Sequence, residues 1–313
     1  MTIPAPVVHR RAGLPSSVTI YEVGPRDGLQ NESSLVPLDT KLEFIGRLVA
    51  AGLRSVEATS FVSPRWVPQL ADAGDLFPRL PAAPDVRYPV LVPNLAGLDR
   101  AADAGVTAIA VFAAATETFS RRNLNRSLDE AVDMFAPVVA GARSRGMWVR
   151  TYLSMCFGDP WEGHVPEGRV VEVARRLADQ GSDELCIADT IGVATPGHVH
   201  DLLDALDRAG MAPSGLAVHF HDTYGQALSN TLAALEAGVR TVDASAGGLG
   251  GCPFAESATG NLATEDLVWM LHGLGVDTGV DLDRLVAASV WMAGRLGRPS
   301  PSRVVRALAG RQG

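Results

Sequence analysis

From residue 18 almost to the end of the chain, short apolar or β-branched runs alternate with stretches whose apolar residues recur at helical spacing. The strand-like runs lie at 18–23, 55–59, 88–92, 108–113, 148–154, 184–188, 216–221 and 241–245. Amphipathic stretches at 41–51, 128–145, 169–180, 198–209 and 228–237 separate them, with Gly52, Gly146, Gly181, Gly210 and Gly238 at their ends as stop signals. Such alternation predicts a parallel sheet, and about eight strands is what an α/β (β/α)₈ TIM barrel requires. The rival is a doubly wound open sheet, but no GxGxxG follows the first strand. Two further helical stretches, 265–273 and 282–296, and a basic tail are predicted as additional C-terminal helices beside or under the barrel mouth. Residues 1–17, Pro-rich with Arg and no acid, read as a short disordered lead, and 18–313 as a single TIM-barrel domain with a C-terminal helical extension.

Composition narrows the partners. The chain has 313 residues, 47% of them hydrophobic, and a formal net charge of -8, so a sizeable core is expected and a nucleic-acid partner is not. A small molecule fits better. Cys156, Cys186 and Cys252 form no CxxC pair, which argues against a disulfide framework and for a reducing cytoplasm. No apolar run reaches the roughly 20 residues that span a bilayer, and no signal-peptide core is seen, so no membrane partner is expected.

In a barrel of this kind the active site lies at the C-terminal ends of the strands. The polar residues predicted there are Arg26 and Asp27, Glu57, Asn123, Tyr152, Asp189, His219 and His221, followed by Cys252 and Asn261. His219 and His221 stand two apart on a strand, so both imidazoles project from one face. They are either metal ligands or two hydrogen-bonded histidines at a polar strand end. Asp27 and Asn261 would complete a mixed nitrogen and oxygen set suited to Mg²⁺ or Mn²⁺, with Zn²⁺ also compatible with imidazole. A second HxH, His198 and His200, falls in a predicted helix, where i and i+2 lie roughly 200° apart and cannot chelate one ion. Cys252 lies in the glycine-rich 247–253 loop, exposed or closely approached by ligand, unless it is simply a small buried residue; Cys156 and Cys186 read as core. Arg26 and Asp27 are a site element or a surface ion pair. Glu57, on an apolar strand, needs a partner, and Arg26 is the one to propose.

Three motifs carry a family resemblance: Glu22-Val23-Gly24-Pro25-Arg26-Asp27-Gly28-Leu29-Gln30-Asn31-Glu32, His219-Phe220-His221-Asp222-Thr223-Tyr224-Gly225-Gln226 and Gly248-Leu249-Gly250-Gly251-Cys252-Pro253-Phe254-Ala255. Thr59-Ser60-Phe61-Val62-Ser63-Pro64, Asp189-Thr190-Ile191-Gly192 and Gly260-Asn261-Leu262-Ala263-Thr264-Glu265-Asp266 add to them. From about residue 18 to about 296 the chain resembles the 3-hydroxy-3-methylglutaryl-CoA lyase family, within the metal-dependent TIM-barrel lyases. The resemblance implies Asp27, His219, His221 and Asn261 as metal ligands, Arg26 as a substrate contact and Cys252 as the catalytic thiol. Gln30, Ser60, Asn123, Tyr152 and Thr190 are the further substrate contacts expected. It also implies an acyl-CoA substrate, a role in leucine degradation and ketone-body formation, and a homo-oligomer, a dimer. One departure is Gly158-Asp159-Pro160, where the family pattern has Gly-Cys-Pro; it adds an acid near the mouth and leaves a related branched 3-hydroxyacyl-CoA open.

The expected reaction is a metal-assisted C–C cleavage giving acetoacetate and acetyl-CoA. Asp27 or a histidine is the base, Arg26, oriented by Glu57 and Asp189, stabilises the enolate, and Cys252 returns the proton. Lysine Schiff-base chemistry is disfavoured, because Lys41 is the only lysine and is predicted on the first outer helix, away from the strand ends. An acyl-CoA condensing synthase of the same superfamily would be expected to lack the Cys252 loop and to need a regulatory domain for which the sequence leaves no room. A non-catalytic metal- or acyl-CoA-binding protein would need neither the thiol nor a buried carboxylate network.

Overall fold

The strand pattern closes into a barrel through one broken strand. The computed structural model describes residues 5–252 and 255–309, the side chains of 252 and 255–259 excepted. The strands are β1 (Thr19–Glu22), β2 in two pieces (Ser55–Val56 and Thr59–Ser60), β3 (Val90–Leu91), β4 (Ala108–Ala114), β5 (Trp148–Ser154), β6 (Glu184–Asp189), β7 (Leu216–Phe220) and β8 (Thr241–Ala244). All pair in parallel, β1 with β8 and then in sequence back to β3. The first piece of β2 pairs with β1 and the second with β3, so the two ends of the hydrogen-bonded order are one strand and the sheet is a closed barrel. Between the pieces, Glu57 N donates to Glu22 O and Ala58 N to Pro89 O, each at 2.9 Å.

Sequence periodicity placed every barrel strand, with ends off by a few residues, but neither of the small hairpins, Gly158–Asp159 with Gly163–His164 and Gly251–Cys252 with Ala255–Thr259. β3 is shorter than predicted because Pro89 lacks an N–H for the ladder and Pro93 ends the run. Three α-helices went unread: the single turn Ala73–Leu76, Leu95–Asp103, capped by Asn94 accepting from Gly97 N at 2.9 Å, and Glu117–Leu124. Helix Leu128–Ser144 begins with a full capping box of Ser127 and Glu130 and carries Pro137 in its interior. Gly52, after helix Leu38–Ala50, has φ 107 and lies so close to Gly279 that an added Cβ would stand 2.2 Å from its carbonyl oxygen. The expected disordered lead is held where described: His9 N donates to Gly273 O, Ser16 O accepts from Asp277 N, and Arg11 pairs with Glu236. The backbone around 273–277 supplies bonding partners that composition does not reveal.

Outward-facing strand residues such as Ile109 and Val111 pack on the helices, forming the main apolar clusters. The interior carries a smaller cluster with Tyr21, Leu91, Ala110, Tyr152, Cys186 and Ala217. Of the C-terminal helices, Thr264–Leu274, Leu282–Leu296 and Arg303–Leu308, the second lies beside Leu38–Ala50 and against the turn that follows β8. No described helix is long and apolar enough to cross a membrane.

That turn is gripped from below. Glu22 Oε1 accepts from Gly24 N and Ala246 N at 2.8 Å, Glu265 accepts from Gly247 N, and Ser300 Oγ donates to Gly247 O at 2.7 Å. Burial lifts the Glu265 carboxyl to about 8 even though bonds from Ser289 and Gly247 favour its ionised form. The unfolded chain releases this proton near 4.5, so between 4.5 and about 8 the folded state holds more protons and stability falls as pH rises. The slope is at most about 1.4 kcal/mol per pH unit. Melting temperature is expected to drop across that window and the drop to shrink in Glu265→Gln; an equally steep profile in the variant would remove Glu265 as its source.

Candidate metal centre and active site

The end of β7 delivers both histidines as the strand period requires. His219 and His221 are buried, with ring centroids 5.1 Å apart. Asp27 comes from the tight turn Gly24–Gly28 after β1, and the ligand atoms of Asp27, His219 and His221 lie within 4.8 Å of one another. Asn261 bridges to His221 through the backbone, and its Nδ2 donates to Asp27 Oδ2 at 2.8 Å and Leu249 O at 3.1 Å. Asn261 Oδ1 and His221 Nδ1 are buried without a hydrogen-bond partner among the described residues. Two unpaired buried acceptors beside a carboxylate and a second imidazole form a donor set that fits a divalent cation.

The charges fit as well. Burial pushes Asp27 up, but Arg26, then the two histidines, and the Asn261 bond overcome it and hold the carboxyl at about 2. Burial, reinforced by His219, lowers His221 to about 3, so its ring is neutral. His219 Nδ1 sits 3.2 Å from Asp243 Oδ2. Sequence reading missed Asp243; its one signal was a charge between Val242 and Ala244 on an apolar strand, the same signal that singled out Glu57.

Arg26 and Glu57 pair as the sequence proposed, Nη2 to Oε2 at 2.8 Å, and Arg26 Nη1 also reaches Asp27 Oδ1 at 2.7 Å. Tyr152 donates to Glu57 Oε2 at 3.2 Å and presents its ring edgewise to His219. Arg26 Nε has no hydrogen-bond partner among the described residues. Asp189 differs from expectation. Its carboxylate accepts from Val193 N at 3.0 Å and Ala194 N at 2.9 Å, shaping the turn after β6 rather than orienting Arg26. The physical reason is proximity: amides of its own turn reach the carboxylate first.

The other expected contacts separate. Ser60 Oγ donates to Leu91 O and accepts from Val62 N, each at 3.2 Å, and Thr190 Oγ1 accepts from Met155 N at 3.0 Å, so both hydroxyls brace backbone. That bond supports Met155 in the left-handed region at φ 60. Gln30 is half-buried beside the Arg26 turn, whereas Asn123 is exposed on helix Glu117–Leu124 and not drawn into the cluster by any described contact. The Cys252 backbone pairs in the hairpin of Gly251–Cys252 with Ala255–Thr259; its side chain lies outside the described residues. Asp159 accepts from Thr116 Oγ1 at 2.6 Å, Trp161 N at 2.7 Å and Glu162 N at 3.0 Å, so its charge knits a small hairpin. His198 and His200 lie in helix Pro196–Arg208 and face different acids, Glu167 and Glu236. Lys41 is buried on its helix, bonded to Asp72 and Gln69 O. Cys156 and Cys186 are core residues.

A closed (β/α)₈ barrel with a candidate cation site at the C-terminal strand ends defines the class. Residues 17–291 match the HMGL-like family model, and the chain belongs to that family. It is 48% identical over 304 residues, 97% of this chain and 88% of the relative, to the cytoplasmic 3-hydroxy-3-methylglutaryl-CoA lyase of Rattus norvegicus. It is 50% identical over 294 residues, 94% of this chain and 90% of the relative, to the mitochondrial hydroxymethylglutaryl-CoA lyase of Mus musculus. The crystal structure of the hydroxymethylglutaryl-CoA lyase from Pseudomonas aeruginosa superposes with TM-score 0.93 at 44% identity, covering 96% of this chain and 99% of that one.

Removing one member of a buried ion pair strands the other. Glu57→Ala is expected to cost on the order of 3 kcal/mol in urea unfolding, and an unchanged midpoint and slope would show that Asp27 alone suffices to hold Arg26.

Proposed function

We propose that this protein is a divalent-metal-dependent C–C lyase that cleaves 3-hydroxy-3-methylglutaryl-CoA into acetoacetate and acetyl-CoA. The observation that carries the reading is the unpaired Asn261 Oδ1 and His221 Nδ1 gathered with Asp27 and His219 beside Arg26. These four residues would hold Mg²⁺ or Mn²⁺, with Zn²⁺ as the alternative. The bound ion supplies Lewis acidity that lowers the pKa of the substrate's tertiary hydroxyl.

Asp27, ionised, and His221, neutral, both stand unprotonated in the cluster, and either of them is the candidate to receive the hydroxyl proton. Collapse of the alkoxide forms the ketone of acetoacetate and breaks the bond to the thioester methylene, whose electron pair becomes an enolate. Arg26 keeps N–H donors for that developing charge, Nε among them, with the guanidinium fixed by Glu57 and Asp27. Cys252 then gives the enolate carbon its proton, completing acetyl-CoA. Support for its placement is the backbone beside it: Gly250 is packed so close to Asn261 that an added Cβ would stand 2.6 Å from Nδ2. Lys41, bonded to Asp72, offers no amine for a Schiff base. The relatives are named both cytoplasmic and mitochondrial; cysteine usage favours the cytoplasm. We read the assembly as a homodimer.

Incubation with 3-hydroxy-3-methylglutaryl-CoA and Mg²⁺ or Mn²⁺ is expected to release acetoacetate, and its absence would overturn the substrate assignment. Chelation should abolish turnover and either ion restore it; full activity in metal-free protein would sink the metal scheme. Cys252→Ala is expected to lower kcat by about 10²–10⁴-fold with KM little changed, and near-normal turnover would remove the thiol from the proton-return step.

A further inference from the structure

One charged group in the barrel interior has no part in that reaction. Arg150, on β5 two residues before Tyr152, is fully buried where barrels ordinarily carry branched apolar side chains. Its Nη2 lies 2.5 Å from Asp243 Oδ1, and both side chains are 0% exposed. Its Nε is 3.4 Å from Glu184, and its guanidinium carbon stands 3.8 Å from the Tyr21 ring centroid and 4.8 Å from that of Tyr152. Stability alone does not account for such a pair, because a buried ion pair is often no better than apolar side chains of the same volume.

The partners of this pair give it a role. Asp243 divides its two oxygens, Oδ1 to Arg150 and Oδ2 to His219 Nδ1 at 3.2 Å. A carboxylate only accepts, so the His219 proton resides on Nδ1 and the lone pair on Nε2. On the other side, Tyr152 lies against the guanidinium and donates to Glu57, which holds Arg26, which in turn contacts Asp27. A continuous path therefore runs His219, Asp243, Arg150, Tyr152, Glu57, Arg26, Asp27, with a candidate ligand at each end.

We infer that Arg150 and Asp243 are positioning residues: they fix the tautomer and ring orientation of His219 for cation binding and join that orientation to the placement of Arg26. The inference rests on the metal-centre reading above. Arg150 anchors Asp243 so that its second oxygen faces the imidazole, and the Tyr152 ring transmits the anchor's position to Glu57.

Mn²⁺ binding to the full chain, followed by the loss of the free-ion electron paramagnetic resonance signal, tests it. Asp243→Asn is expected to weaken binding by about 10–100-fold. Two-bond proton–nitrogen spectra of the metal-free protein are expected to show His219 protonated at Nδ1 in the wild type and as a tautomer mixture in Asp243→Asn. Should that variant not fold, Arg150→Met with Asp243→Asn removes both buried charges together, and the same weakening is expected. Wild-type affinity and an unchanged tautomer in a folded variant would overturn the inference alone. Failure of the wild type to bind Mn²⁺ would overturn the metal reading, and this inference with it.

Discussion

The buried contact between Arg26 and Glu57 is the constraint on which the site depends. Glu57 stands where β2 passes from one neighbouring strand to the other, so its position is set by barrel closure. From there its carboxylate, buried and raised above the usual range by that burial despite the attraction of Arg26, fixes a guanidinium that also touches Asp27. Asp27 in turn receives the Asn261 amide, leaving the amide oxygen for other work. Fold geometry and site geometry are therefore one problem: the strand that closes the barrel carries the acid that orders the cation site.

Much of this was legible before any coordinates. Parallel strands buried on both faces give apolar runs, and the eight runs survived as strands because their helices end in clear stop signals. The His219 and His221 pair was readable because a strand's period of two is fixed, and His198 and His200 were correctly set apart because a helix's period is not two. The pairing of Glu57 with Arg26 followed from the cost of a lone buried carboxylate. Less legible was how polar atoms are shared among competing partners. Asp189, Ser60 and Thr190 carry the right groups at the right strand ends, yet nearby backbone claims them. Asp159 looked like an added charge at the mouth and is a hairpin tie. Asp243 and Arg150, far apart in sequence and on strands that do not pair, meet only because both side chains enter the barrel interior.

A polar interior also changes what kind of scaffold this barrel is. Tyr21, Arg150, Tyr152, Cys186 and Asp243 occupy space that branched apolar residues commonly fill, so the interior is ordered by directional contacts as well as by volume. Directional contacts tolerate substitution less readily than apolar packing, because each removed partner leaves another group unsatisfied. The glycine-rich turn after β8 is treated likewise, gripped by Glu22, Glu265 and Ser300. Both devices hold backbone and side chains in place without enlarging the core.

The barrel's hydrogen-bond ladders are unevenly distributed around its circumference. β4 and β5 share seven register pairs, whereas each piece of β2 shares two with its neighbour. The sector around β2 is thus the lightly stitched side of the cylinder, and the Arg26–Glu57 contact lies across it. A side-chain pair chosen for chemistry doubles there as a fastener, supplying in one charged contact some of the cohesion that backbone ladders provide elsewhere.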